Sequence, residues 1–355
     1  MQLADSLRKR NPWEDGGLLF RSVREGARRF LEERSAGRAL LVTDESAVGA
    51  FREVTFPRCV SAVLDTADAL PLFSMPDEVA LVLAAGKGRT LAAARFFAGV
   101  RRVPVVTFPS SSALDGAFER EAELNLGGVS ARVELADGDV ICDLALMQPR
   151  LAEGYERLLL ARLSRLEERA LRCFGCASGS EEAEERAYAA LSGLSEELSA
   201  REIVEKNAVV QACLRQGASR GEGTTLAERL GRDGSWRAFL QLSALYFAFF
   251  GKGKPQPFVP DYRERARAAG AAYSGQSIPT PEEYASRVCT LERKRAVFFG
   301  EAEALVKNTG AYRKNLYALA GRVYGGAGNL DELKKLPERT RGLSCIIRDF
   351  GLMDW

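Results

Sequence analysis

The chain has 355 residues, more than a single hydrophobic core of about 250 to 300 residues accommodates, so two domains are expected. Its 50 Lys and Arg residues are nearly matched by 48 Asp and Glu, which leaves no basic excess for a phosphate-backbone stripe and argues against nucleic acid as a partner. It contains no histidine, so any chemistry has to proceed without the commonest side-chain acid, base and metal ligand.

In chain order, the polar start Met1–Asp5 lacks the apolar stretch of a secretory signal, and the expectation is a cytoplasmic protein. Leu18, Leu19, Val23, Ala27, Phe30 and Leu31 recur at helical spacing and predict an amphipathic helix over 17–34. Three short apolar runs then read as buried parallel strands: 38–44, 78–83 and 103–108. A helix over 90–100 separates the last two, a crossover long enough for a parallel β-α-β unit. A further strand at 139–143 closes this part. After Pro149, Ala/Leu/Glu/Arg-rich segments of 3.6-residue period take over, with loops expected at 177–182, 217–225, 231–235, 251–260 and 324–329. The most apolar run, 239–251, is shorter than the ~20 residues that span a bilayer and reads as a buried helix, so no membrane association is expected. The fold class is therefore α/β, a Rossmann-like parallel-sheet domain over 1–149 followed by an all-α domain over 150–355.

Seven cysteines spread from Cys59 to Cys345 form no disulfide framework and read as reduced thiols. Cys173 and Cys176 have the spacing of a metal pair, but no second pair or histidine accompanies them, and the simpler reading is the end of a helix.

Two loops carry possible chemistry. The first, Ala84-Ala85-Gly86-Lys87-Gly88-Arg89-Thr90, lies between a strand and a helix, where backbone N–H groups and the helix dipole favour a phosphate. A tight turn without ligand uses the same residues, and Lys87 and Arg89 tilt the balance toward an anion. The second, Thr107-Phe108-Pro109-Ser110-Ser111-Ser112-Ala113-Leu114-Asp115-Gly116, again lies at a strand's C-terminal end, where open parallel sheets place ligands. Its hydroxyls and carboxylate either bind hydroxyl or phosphate groups or cap a following helix.

At these two loops, in this order, the sequence resembles the iron-containing alcohol dehydrogenase and dehydroquinate synthase-like superfamily, and within it the glycerol-1-phosphate dehydrogenases. Gly86-Lys87-Gly88, Ala92 and Arg95 stand for a G-G-G-x-x-x-D-x-x-K signature, and Pro109-Ser110 to Asp115-Gly116 for a Pro-Thr-x-x-S-x-D-G loop. Leu41–Asp44, Val140–Leu144, Ala244–Pro255 and Arg348–Met353 resemble further segments of that superfamily. The resemblance implies NAD or NADP as cofactor, held by Asp44, Gly86, Lys87, Gly88, Ser110 and Ser111, with a small-molecule substrate and a homodimer. Asp44 at the adenosine ribose would repel a 2′-phosphate and slightly prefer NAD.

The departures fall on the metal site. Members of the superfamily hold zinc or iron with one Asp and two His; here the matching segments are Gly154-Tyr155-Glu156-Arg157, Arg220–Gly223 and Asp233–Ser235. Glu156, Glu222 and Asp233 could ligate a hard cation, but Arg157 opposes one and no imidazole exists, so no metal is expected. The resemblance then implies a polyol or polyol phosphate dehydrogenase in which Asp115 orients substrate and the positive charge of Arg157 and Lys252 or Lys254 replaces the metal, with Tyr155 and Tyr246 as nominal acids. The alternative is a catalytically inactive member that binds a nucleotide or phosphate; a lyase or cyclase of the dehydroquinate synthase type ranks last.

Overall fold

The computed structural model describes residues 19–33, 37–52, 54, 58–64, 68–173, 189, 191, 194, 198–217 and 281–307. The chain divides into two compact units, Met1–Tyr155 with Leu198–Gln216, and Glu156–Glu197 with Gly217–Trp355.

The first unit is built on a six-stranded parallel sheet. Its strands are β1 (Leu19–Phe20), β2 (Arg38–Thr43), β3 (Cys59–Val63), β4 (Val79–Gly86), β5 (Val105–Pro109) and β8 (Asp139–Cys142), in the order β1-β8-β5-β4-β2-β3. The central strands are apolar on both faces because both faces are covered. Leu41, Leu83, Ala85, Val106 and Phe108 pack on Val23, Ala27 and Phe30 of α1 (Val23–Glu33). Leu40, Val42, Val82 and Ala84 face the other way, onto α2 (Gly88–Arg101). That second face also receives Val204 and Ala208 of α5 (Ala200–Gly217), a helix far along the chain. It opens on a reciprocal cap in which Glu202 accepts from Ser199 N–H at 2.8 Å and from its hydroxyl at 2.6 Å; these bonds hold the Glu202 carboxyl below the usual carboxylate range.

The strands predicted at 38–44, 78–83, 103–108 and 139–143 and the helix at 90–100 are present, each with shifted ends. Four differences have physical causes. Leu19 and Phe20 do not begin the first helix; they pair in parallel with Ile141 and Cys142, and α1 starts only at Val23. β4 runs on through Ala84 and Ala85 to Gly86, which pairs with Pro109, so the glycine turn begins inside the sheet. An antiparallel hairpin, β6 (Glu121–Leu126) and β7 (Val129–Glu134), turns at Gly127 and Gly128, both at positive φ. No helix follows the serine loop: the chain turns through Leu114, at φ 59°, and goes on to this hairpin.

After β8, all described regular structure is helical. α3 (Leu144–Met147) is one turn; α4 (Leu151–Cys173) and α6 (Pro281–Lys307) are long. In the second unit, Arg169 of α4 pairs with Glu301 of α6. Among the described residues no helix is long and apolar enough to cross a membrane. The predicted run at 239–251 and the five helical-half loops lie wholly or almost wholly outside the described residues.

Candidate functional site

The polar groups of the first unit gather where β2, β4 and β5 end, the edge at which open parallel sheets bind ligands. β2 delivers Asp44, β4 the turn Gly86-Lys87-Gly88, and β5 the serine loop. Ser110 N–H donates to Gly86 O at 2.8 Å, which carries the β4–β5 pairing into the loops.

The two loops fit backbone to backbone. A β-carbon on Gly88 would fall 2.9 Å from Asp115 Cβ and 3.2 Å from its carbonyl carbon. One on Gly116, at φ +78°, would fall 2.7 Å from the carbonyl carbon and Cα of Gly88. These two glycines are required by the close approach of the loops themselves. Beneath them Arg95 of α2, only 1% exposed, donates from Nε to Ala136 O and from Nη1 to Gly116 O, each at 2.8 Å. The position that resembles a signature lysine thus anchors the end of the serine loop.

Asp44 turns toward the glycine turn. Its Oδ2 accepts from Lys87 N–H at 2.7 Å and from Thr90 Oγ1 at 3.1 Å, and its Oδ1 accepts from Ser46 Oγ. Ser46 Oγ lies 3.1 Å from Ser110 Oγ, and Arg150 Nη1 donates to Ser110 Oγ at 3.2 Å. A hydroxyl has one proton, and that of Ser46 is committed to Asp44, so Ser110 is the donor to Ser46. The hydrogen bonds therefore all run one way, from the Arg150 guanidinium through two serines to the Asp44 carboxylate. Glu153 Oε1 completes the ring, 3.7 Å from both Lys87 Nζ and Arg150 Nε. Two cations and two carboxylates make the crown formally neutral.

The structure brings Asp44, Gly86, Lys87, Gly88, Ser110, Ser111 and Asp115 to one edge of one unit. Their local roles differ. Ser111 Oγ accepts from Ala113 N–H at 3.2 Å and shapes the turn, while Ser112, absent from the predicted set, donates to the carbonyls of Arg150 and Leu151. Asp115 is exposed. Arg157 is half-buried on the part of α4 that belongs to the second unit, beside Glu156. Lys252, Lys254, Tyr246, Glu222 and Asp233 lie outside the described residues, as does the Cys176 end of the cysteine pair.

Sequence reasoning missed Ser46, Arg150 and Glu153. Arg150 stands just past β8, and its neighbourhood to Ser110 arises only because β8 pairs with β5. It also missed Asn207 of α5, which is 1% exposed and donates from Nδ2 to Gly154 O at 2.9 Å, seating α5 on the start of α4.

The donor set does not fit the zinc or iron of the superfamily resembled. A chain without histidine supplies neither imidazole ligand, and Arg157 follows Glu156 directly where the aspartate ligand is expected. Among the described residues no group of three or more cysteine, aspartate or glutamate side chains is arranged to hold a metal ion.

The parallel sheet and following helices define the class of fold, which is similar to that of solved dehydrogenase and reductase structures. The particular structures it matches include a maleylacetate reductase from Rhizobium sp. strain MTP-10005, with a TM-score of 0.52, 14% identity and 94% of each chain covered. A probable glycerol dehydrogenase from Sinorhizobium meliloti 1021 gives a TM-score of 0.50 at 13% identity, over 81% of this chain and 97% of the other. A putative alcohol dehydrogenase from Ralstonia eutropha JMP134 gives 0.50 at 15% identity, over 94% of both. No family model and no curated protein matches the sequence.

Proposed function

We propose that the chain is an NAD(P)-dependent oxidoreductase acting on a small polyol or polyol phosphate, with the superfamily's metal site lost. The observation that carries this reading is the glycine turn Gly86–Gly88, which ends β4, opens α2 and packs on the serine loop that ends β5. The first N–H groups of a helix have no acceptor within it, and with Lys87 they form a phosphate cradle. Gly86, Lys87 and Gly88 hold the pyrophosphate on this reading, and Ser110, Ser111 and Asp115 orient nicotinamide and substrate. A bound dinucleotide would supply or accept the hydride. The chain's own task is then to balance charge on the substrate oxygen; with no imidazole available, this falls to cations, and Arg157 and Lys252 are the candidates. The negative charge of Asp44 at the end of β2 favours NAD over NADP. A cytoplasmic setting, a small-molecule substrate and a second copy of the chain as partner complete the reading.

A second reading, a non-catalytic member that binds a nucleotide or phosphate, is favoured by one observation: Asp44 already uses the Lys87 N–H and the Thr90 hydroxyl, in a chain without histidine.

Thermal unfolding with NADH and NADPH decides first. A ligand at 100 times its Kd stabilises by about 2.7 kcal/mol, and an upward shift in Tm is expected, larger for NADH. No shift with either dinucleotide overturns the oxidoreductase reading. A shift without turnover of glycerol, glycerol phosphates or dihydroxyacetone phosphate supports the non-catalytic one.

A further inference from the structure

We propose that Asp44 is a resident anion in the phosphate site of this chain, and that a ligand phosphate or pyrophosphate binds by displacing its carboxylate. The inference rests on the reading of the glycine turn as an anion site and specifies how that site is filled when no ligand is bound.

Three observations converge. The Asp44 carboxylate accepts a main-chain N–H at the N-terminus of α2, at 2.7 Å from Lys87 N, as a phosphate oxygen would. Thr90, 6% exposed, gives its hydroxyl to the same carboxylate oxygen, so a buried donor of the first helical turn is also committed. Finally, the glycine that makes the turn makes room for this carboxylate: a β-carbon on Gly86 would fall 2.9 Å from Asp44 Cγ. The chain Arg150–Ser110–Ser46 feeds the other carboxylate oxygen and holds the side chain in place. A second anion cannot share the Lys87 N–H with this carboxylate without close like-charge contact. Binding is therefore an exchange, in which Asp44 swings off the turn as the phosphate arrives.

A carboxylate that instead binds a ribose of the ligand gives the opposite sign. Removing a ribose acceptor weakens binding, whereas removing a resident anion strengthens it.

The test is calorimetric titration of the full-length protein with inorganic pyrophosphate and, separately, NADH at low salt. In Asp44→Asn the charge is gone and the shape is kept, and pyrophosphate is expected to bind about tenfold more tightly than to the wild type, with the gain shrinking at 0.5 M salt. Unchanged or weaker pyrophosphate binding overturns the proposal. Should that variant fail to fold, Ser46→Ala decides: it removes one hydrogen bond to Asp44 and leaves the turn intact, so pyrophosphate tightens about threefold, and no tightening overturns the proposal. If NADH binds neither protein while pyrophosphate tightens, the resident anion stands and the dinucleotide reading falls.

Discussion

Cys142 shows how a single side chain reports its surroundings. It closes β8 under β1, and burial pushes its thiol up to about 12 from an ordinary value near 9. The sign follows from linkage: the thiol is neutral in folded and unfolded chains below about pH 9, and above that only the unfolded chain gains by ionising. Stability is therefore expected to fall between about pH 9 and 12, and Cys142→Ala to flatten that fall in a denaturant series. At pH 8, alkylation followed by peptide mapping is expected to label the exposed Cys289 and spare Cys142; early labelling of Cys142 would mean that the β1 edge opens readily. The expectation of reduced cysteines came from their odd number and scatter, but that Cys142 is sealed by a two-residue strand was not legible, since Leu19 falls on the helical stripe that predicts a helix over 17–34.

Gly116 and Gly88 couple two elements at their backbones. Gly116→Ala adds both a clash with Gly88 and a strained left-handed φ, each costly by itself. A loss of at least about 2 kcal/mol in urea unfolding is expected, well beyond the ~1 kcal/mol of a conformational penalty alone; a loss below 1 kcal/mol would show that the loops separate easily. Elements with continuous apolar runs, β2, β4, β5 and β8, were legible because a strand covered on both faces needs no alternation. The hairpin was not. Its strands have no continuous apolar run; they alternate polar and apolar residues over 121–126 and 129–134 about Gly127-Gly128, the mark of a half-exposed hairpin, which a reading by buried runs passes over. The candidate site was legible where it is local, at the turn and the serine loop, and illegible where it is assembled, at Ser46, Arg150 and Glu153, which meet through strand order alone.

At the scale of the whole molecule, the sheet unit is not a continuous stretch of chain. α5 returns to it, burying Val204 and Ala208 on the α2 face, setting Arg201 4.6 Å above the Phe20 ring and bonding Asn207 to Gly154. A fragment of residues 1–149 lacks all of these contacts, and burial of one valine side chain alone stabilises by about 1.5 to 3 kcal/mol. Such a fragment is expected to unfold at clearly lower urea than the full chain, by at least about 2 kcal/mol in tryptophan-independent circular dichroism; equal stability would show that α5 is an accessory. The switch in sequence character after Pro149 marks where strands stop, and periodicity cannot say on which unit a later helix packs.

The pairing of β1 with β8 also sets a timetable. Asp143 accepts from Val23 N–H at 2.9 Å and from the N–H groups of Ala145 and Leu146, so one carboxylate caps α3 and also α1, whose first residue lies 120 positions earlier in the chain. At about 5 to 20 residues per second, a ribosome reaches Asp143 on the order of ten seconds after it finishes α1. Until then β1 has no strand to pair with and Val23 no cap, so the start of α1 is fixed last, on a sheet that β2, β4 and β5 can already have formed.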